Sequence, residues 1–268
     1  MLKSQSLTLQ SVERVSSLRH SVSGSGPWVV LIHSLATHGG AWDNHAAWLC
    51  KDHTVLQYDV SGHGDSPLSC ITPSLDSFAL ELDELLQMLR VDKAHIVGVS
   101  MGGMVAQHYA IRYTQRVISL TLVATTGMNT PADRSAWMNR TAVARDSGMN
   151  GLVGEFLNRW FTKDFLASKN PILREVTNWI NNTSVDGFTA AVNAISEVDT
   201  LGNLRKLTIP SLVIAGESDL ATPPMVVKSV ADAIAGSQYV VIPKAAHWVP
   251  LEQPARFKYE LEKFLAAN

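Results

Sequence analysis

The sequence has little cysteine and no long apolar run, and both shortages narrow the class of protein. Only two cysteines, Cys50 and Cys70, occur in 268 residues. They are too few for a disulfide framework and fit a reducing compartment. No uninterrupted apolar stretch approaches membrane-spanning length, and the opening stretch MLKSQSLTLQSVERVSSLRH lacks the apolar centre of a signal peptide. We therefore expect a cytoplasmic protein that does not bind membranes.

The sequence also lacks an excess of either acidic or basic residues. The chain has 22 Lys and Arg against 24 Asp and Glu, for a net charge of −2, and it contains no acidic or basic run. A nucleic-acid partner is therefore not expected. Apolar residues make up 46% of the chain, which is typical of a globular protein with one large domain or two small ones.

Motifs for metals and nucleotides are missing as well. The sequence has no H-E-x-x-H, no paired-cysteine motif and no histidine cluster with zinc spacing. It also lacks G-x-G-x-x-G with a downstream acid, and residues 98–103 lack the lysine of a phosphate-binding loop. We therefore expect chemistry without a metal or cofactor on a small-molecule substrate.

The most informative stretch is AHIVGVSMGGMVAQHYA, residues 94–110. It begins as an apolar, β-branched strand, breaks at a glycine-rich turn, and resumes with helical spacing. The turn carries Gly98-x-Ser100-x-Gly102, the pattern of a nucleophile elbow, in which a strained serine stands at the start of a helix. The pattern indicates that Ser100 is a nucleophile, whereas an isolated match of this kind can also be an ordinary turn serine.

Apolar runs alternate with stretches of helical spacing over much of the chain. Buried strands are predicted at 28–32, 54–58, 117–124, 210–215 and 238–242. Helices are predicted at 41–49, 74–90, 224–235 and 254–266, and two weaker strands at 6–10 and 15–20. This alternation favours an α/β fold with a mostly parallel, doubly wound sheet.

The alternation stops between residues 130 and 207. This region lacks runs typical of buried strands and shows helical stretches at 137–145, 151–160 and 187–198. We predict a helical cap insertion over the carboxyl ends of the strands, with residues 1–129 and 208–268 forming the core.

A serine nucleophile needs a base and a group that orients the base. The elbow architecture predicts the chain order serine, acid, histidine, with the acid after a late strand and the histidine after the last one. Asp219 and His247 occupy those positions, so we predict the triad Ser100, Asp219 and His247. Glu217 is the alternative acid, and Asp219 could instead cap the following helix.

The oxyanion of an acyl-transfer intermediate needs hydrogen-bond donors. The same model assigns this role to the backbone amides of Met101 and Leu35. His33 ends the first buried strand and is expected to brace the Leu35 loop, and His63 to shape a Gly-His-Gly turn. His38 and His45 could reach the mouth of a pocket, and the remaining histidines are expected to be structural or on the surface.

These residues resemble the α/β-hydrolase superfamily over nearly the whole chain, and several stretches resemble the 3-oxoadipate enol-lactonases of aromatic catabolism. The stretches are HSLAT (33–37) with AWD (41–43), GVSMGGMV (98–105), RWFT (159–162), GFTAA (187–191) and residues 215–224. The resemblance implies an α/β-hydrolase fold and hydrolysis of a small ester or lactone through an acyl-enzyme on the triad named above. Ser34, Trp137 and Trp160 are expected to contact substrate.

An enol-lactone substrate carries a carboxylate, for which a cap cation would be a natural partner. The candidates are Arg134, Arg140, Arg159 and Lys163, and Trp179 is a further candidate for the pocket wall. Each of these could instead serve only packing or solvation.

Three other functions stay open. The pair His247-Trp248 resembles that of hydrolases that cleave carbon–carbon bonds in meta-cleavage products. Cofactor-free perhydrolase or haloperoxidase activity is a second alternative. A non-catalytic small-molecule receptor on a hydrolase fold is the third, because fold does not fix function.

Overall fold

The computed structural model describes residues 8–69 and 71–268. Within this part, seven strands form one sheet in the order β1-β3-β2-β4-β5-β6-β7, and all neighbours are parallel except the antiparallel pair of β1 and β3. The strands are β1 (His20–Gly24), β2 (Trp28–Ile32), β3 (Thr54–Tyr58), β4 (Ala94–Val99), β5 (Val117–Val123), β6 (Ser211–Gly216) and β7 (Gln238–Ile242). The mostly parallel sheet confirms the predicted fold class.

One helix precedes these strands, and the others lie between and after them. They are α1 (Leu9–Ser16), α2 (Asp43–Leu49), α3 (Leu75–Met88), α4 (Met101–Arg112), α5 (Pro131–Ser147), α6 (Val153–Trp160), α7 (Lys163–Ala167), α8 (Ile172–Asn182), α9 (Val185–Ser196), α10 (Leu201–Leu204), α11 (Pro224–Ala233), α12 (Val249–Glu252) and α13 (Pro254–Leu265). Short 3-10 turns occur at Gly39–Trp42, Thr114–Arg116 and Met149–Leu152. No helix of the described residues is long and apolar enough to cross a bilayer.

The central strands are apolar because both of their faces are covered. Every residue of β4 and β6 is buried, as are four of the five residues of β2. This explains why continuous apolar runs, rather than alternating ones, identified these strands in the sequence.

The order of the strands places the loops that matter for function. The chain passes from β2 outward to β3 and later returns to β4 on the other side of β2, where Ile32 pairs with Gly98. Ligands bind at such a reversal, outside the carboxyl ends of the strands. The loop after Ile32 and the turn at Ser100 therefore lie beside each other.

The two weak strands expected at the start of the chain are wrong where the structure describes them. Residues 8–10 and 15–16 contribute to helix α1 and its cap, while residues 6 and 7 lie outside the described part. The Thr8 side chain accepts from the Ser11 amide, Val15 is buried, and Arg14 pairs with Glu84 of α3. The cap and the contacts with α3 outweigh the weak β preference of this short segment.

The chain between β5 and β6 is helical. The three predicted stretches overlap α5, α6 and α9, whereas α7, α8 and α10 were not predicted. On either side of α5 to α9, Met128 bridges Asp199, and the Thr200 amide donates to the Gly127 carbonyl at 2.8 Å. The division into core and cap stays a prediction.

Candidate active site

Ser100 occupies the sharp turn between β4 and α4. Its backbone has φ 55° and ψ −115°, a conformation that costs energy for a residue with a side chain. The Ser100 amide donates to the Val123 carbonyl at 2.9 Å, and its carbonyl accepts from the Thr125 hydroxyl at 2.8 Å. These bonds hold the strained turn, and the side chain is half-buried at the N-terminus of α4.

The two glycines of the elbow are required by close backbone approach. A Cβ atom added at Gly98 would lie 2.2 Å from the Gly102 carbonyl oxygen, and one added at Gly102 would lie 2.3 Å from the Ile32 carbonyl oxygen. The Gly-x-Ser-x-Gly pattern is therefore a packing requirement of this turn.

His247 is held by Asp219. Nδ1 of the imidazole lies 2.9 Å from Oδ2 of the carboxylate, and both side chains are buried. A neutral imidazole that donates from Nδ1 keeps a lone pair at Nε2, where it can accept a proton.

Three other donors fix the Asp219 carboxylate. The Ala221 and Thr222 amides donate to Oδ1 at 2.7 and 3.0 Å, and the Thr222 hydroxyl donates to Oδ2 at 2.8 Å. These three hydrogen bonds hold the carboxylate in a fixed orientation toward His247. Sequence reasoning missed Thr222, although a hydroxyl three residues after the acid was a visible signal.

Neither alternative from the sequence fits the geometry: Glu217 as the acid, or Asp219 as the cap of the following helix. The carboxylate of Glu217 accepts from the Lys244 amide at 3.1 Å, on the exposed surface. Helix α11 has Pro223 at its N-cap, with no side-chain cap hydrogen bond. Asp219 is therefore the acid that contacts His247, and it does not cap the helix.

A cavity of about 580 Å³ brings the predicted residues together. Ser100 and His247 line this cavity, and the following predicted residues line it too: Ser34, Leu35, Trp137 and Trp160. Ser34 Oγ is buried and has no hydrogen-bond partner among the described residues. An unpaired buried hydroxyl on the wall can hydrogen-bond a ligand. Trp179 instead packs edge-on against His38, with ring centroids 5.4 Å apart, and does not line the cavity.

The loop after β2 is braced by His33. Its Nδ1 donates to the Ser34 carbonyl at 2.8 Å, and its Nε2 accepts from the Val60 amide at 2.9 Å. Burial lowers the pKa of His33 to about 3, so the ring is neutral and can both donate and accept. Leu35 follows directly in this loop, and Met101 is the first residue of α4. The Leu35 amide thus lies in the loop after β2, and the Met101 amide lies at the start of α4, directly after Ser100.

His45 does not reach the cavity. It is buried against the C-terminal part of the chain, where Nε2 donates to the Pro250 carbonyl at 2.9 Å. His63 is also buried, and Nδ1 lies 3.4 Å from the Ser61 carbonyl within its own turn. Both rings serve the packing of the fold.

Two of the four candidate cations line the cavity. Arg140 pairs with Glu155 at 2.6 Å, and its guanidinium stacks 4.7 Å from the Trp137 ring centroid. Arg159 is half-buried on the same wall and forms no ion pair with any described residue. Burial, with repulsion from Arg140, lowers the pKa of Arg159. The negative charge of an anionic ligand would stabilise the guanidinium and offset both effects.

The other two cations lie elsewhere. Arg134 donates to the Ser196 carbonyl at 3.1 Å and lies 3.8 Å from Glu197, and Lys163 begins α7. Neither lines the cavity. In addition, the described residues contain no group of three or more His, Cys, Asp or Glu side chains arranged to hold a metal ion.

Comparisons with known proteins agree with this architecture. A family model described as the alpha/beta hydrolase fold matches residues 27–254. The chain is 28% identical to 3-oxoadipate enol-lactonase 2 of Acinetobacter baylyi over 236 residues, which cover 88% of this chain and 87% of the relative.

Solved structures are similar over almost the whole chain. The enol-lactonase from Burkholderia xenovorans LB400 has a TM-score of 0.88 and 30% identity, with 93% of this chain and 96% of that one covered. A thermophilic esterase from Thermogutta terrifontis has a TM-score of 0.88 and 26% identity, with 93% of each chain covered. With its elbow, its sheet order and the family match over residues 27–254, this chain belongs to the α/β-hydrolase family of enzymes.

Proposed function

We propose that the protein hydrolyses a small carboxylic ester or lactone through an acyl-enzyme formed on Ser100. One observation carries the proposal: Ser100 and the His247 that Asp219 orients line the same cavity. A hydroxyl is a poor nucleophile at neutral pH, and an oriented imidazole is the base that activates it.

The reaction follows from these groups. Ser100 Oγ attacks the carbonyl carbon while His247 Nε2 takes the hydroxyl proton, and the carbonyl oxygen becomes an anion that the Leu35 and Met101 amides stabilise. The intermediate collapses with cleavage of the C–O bond, and the leaving oxygen receives the proton from His247. Water, activated by the same imidazole, then releases the acid. In a lactone the leaving oxygen stays attached to the acyl chain.

The wall of the cavity supports a substrate with a carboxylate. Arg159, which forms no ion pair with any described residue, lines the same cavity as Ser100, and a guanidinium binds a carboxylate through two parallel hydrogen bonds. The enol-lactonase relatives favour the lactone within this class.

The alternative of carbon–carbon hydrolysis has less support. It depended on Trp248, whose side chain is fully buried and does not line the cavity. A non-catalytic receptor would have no use for the oriented pair of His247 and Asp219. We therefore favour ester and lactone chemistry.

The test is turnover of p-nitrophenyl acetate together with labelling by a fluorophosphonate probe. Ser100→Ala should abolish both while the circular dichroism spectrum stays unchanged. Ser147→Ala, an exposed serine of α5 outside the cavity, is the matched control and should leave both intact. Turnover retained in a folded Ser100→Ala protein would refute the assignment.

A further inference from the structure

Glu252 is a buried carboxylate in the short helix that follows His247. Its side chain accepts hydrogen bonds from two parts of the chain that are far apart in sequence. Oε2 accepts from the Ala246 amide at 2.8 Å, and Oε1 accepts from the amide of Thr162 at 3.0 Å and from the Thr162 hydroxyl. Only 6% of the residue is exposed, so these donors, rather than water, satisfy its charge.

The bond to Ala246 lies directly before His247, and a second bond lies directly after it. The Trp248 amide donates to the Trp160 carbonyl at 3.1 Å. Both neighbours of His247 are therefore linked to the segment of residues 160–162. Ala246 is linked to it through the Glu252 carboxylate, and Trp248 through a backbone hydrogen bond.

The same segment forms part of the cavity wall. Arg159 and Trp160 line the cavity, and Thr162 follows two residues later as the cap of α7. The loop that carries the base and the wall that meets the substrate are thus joined by one side chain.

We propose that Glu252 is a positioning residue, which holds the imidazole of His247 in place relative to Ser100 and fixes the wall at Arg159 and Trp160. This inference rests on the proposed function. Glu252 does not touch the reacting atoms and acts through the Ala246 amide and Thr162. Its effect should therefore appear in the chemical step.

The variant Glu252→Gln tests this because an amide has a single acceptor oxygen. Either the Ala246 or the Thr162 amide then loses its acceptor, and an unsatisfied buried donor shifts the loop. We expect kcat for p-nitrophenyl acetate to fall about tenfold or more, with KM changed less than about twofold, because a displaced loop misplaces the imidazole relative to Ser100, and a misplacement of about 1 Å can cost up to about a hundredfold in rate. The rate of fluorophosphonate labelling should fall in parallel.

Glu260→Gln is the matched control. Glu260 is another buried carboxylate near the C-terminus, but it pairs with Arg256 on its own helix. Its loss should lower the unfolding midpoint and leave kcat and KM unchanged. A merely structural Glu252 would behave in the same way, so equal kcat values for the two variants overturn the proposal.

A second pair of variants keeps the test decisive if Glu252→Gln does not fold. Thr162→Val removes the hydroxyl donor to Glu252, while Thr162→Ser retains it. We expect kcat for p-nitrophenyl acetate to fall in Thr162→Val and to stay unchanged in Thr162→Ser. Equal kcat values for the two variants refute the proposal. If folded Ser100→Ala retains turnover, the proposed function itself has failed. If Ser100→Ala is inactive but Glu252→Gln has the same kcat as Glu260→Gln, only the positioning role has failed.

Discussion

His33 and Val60 are joined by a hydrogen bond of 2.9 Å from the Val60 amide to Nε2 of the imidazole. This bond links the loop after β2 to the loop after β3. His33→Ala should leave the Val60 amide unsatisfied and loosen the loop of Leu35, lowering both stability and kcat, the latter by about tenfold. Urea unfolding and ester turnover measure the two effects.

His95→Ala is the control for this prediction. His95 is also buried and bonds the Ser119 hydroxyl, but it stands at the start of β4, at the other end of the strand from Ser100. This variant should lose stability without losing kcat. An equal loss of kcat in both variants would contradict a specific role for the His33 loop.

Asp219 fixes the proton on Nδ1 of His247. In Asp219→Asn the amide can donate to that nitrogen, which favours the wrong tautomer, and kcat should fall about a thousandfold. Glu217→Gln, which changes an exposed carboxylate two residues away, should keep full turnover. Comparable activity of the two variants at neutral pH would exclude Asp219 as the orienting group.

Arg159 should distinguish between substrates. Arg159→Met should reduce kcat/KM for the p-nitrophenyl monoester of a short dicarboxylic acid by about tenfold, because a charged hydrogen bond is lost. Hydrolysis of neutral p-nitrophenyl butyrate should change little. Arg134→Met, outside the cavity, should affect neither substrate. An equal loss with both substrates would show that Arg159 shapes the pocket and does not recognise charge.

Gly98 has no room for a methyl group. Gly98→Ala should lower the free energy of unfolding by about 2 kcal/mol or more, since the added Cβ meets backbone that cannot move aside. Gly154→Ala adds a Cβ on α6 with nothing within 4 Å and should raise stability by about 0.5–1 kcal/mol. Urea unfolding monitored by tryptophan fluorescence measures both changes. An unchanged free energy of unfolding in Gly98→Ala would contradict the close approach of Gly98 to the Gly102 carbonyl.

His45 should make stability depend on pH. Burial lowers the pKa of His45 from 6.5 to about 4. Between these values the unfolded chain binds a proton that the folded chain does not, so stability is complete above pH 6.5 and falls as the pH drops, by up to about 1.4 kcal/mol per pH unit.

The variant His45→Gln can still donate to the Pro250 carbonyl and should flatten this slope. Its free energy of unfolding, compared with that of the natural protein from pH 7.5 to 4.5, separates the two contributions. The difference in free energy of unfolding between the two proteins at pH 7.5 measures the contribution of packing. Only the change of this difference with pH measures the protonation of His45. Parallel curves would show that residue 45 does not titrate differently on unfolding.

The sequence predicted the central strands and the triad residues for a physical reason. Strands covered on both faces are typically continuously apolar, as in β2, and the elbow has a fixed backbone geometry. These are local signals, and the structure places Ser100 and His247 in one cavity. Their catalytic roles stay predictions until they are tested.

Contacts between distant segments were not predictable in this way. Helix α1 is stabilised by Arg14 and Glu84, 70 residues apart, and β1 is an edge strand with mostly exposed residues and no apolar pattern. The link between Glu252 and Thr162 spans 90 residues. Likewise, sequence alone could not show that Arg140 pairs with Glu155, or that Arg159 lines the cavity with no ion-pair partner in residues 8–69 and 71–268.

The antiparallel bridge between Met128 and Asp199 has an evolutionary consequence. Because the polypeptide departs and returns at adjoining points, the helices between them can be exchanged as a cassette while the registers of β5 and β6 are preserved. Under the positioning role proposed for Glu252, a transplanted cassette must also supply an anchor for its carboxylate, as Thr162 does. Substrate range could therefore diversify among descendants only as far as that anchor is retained.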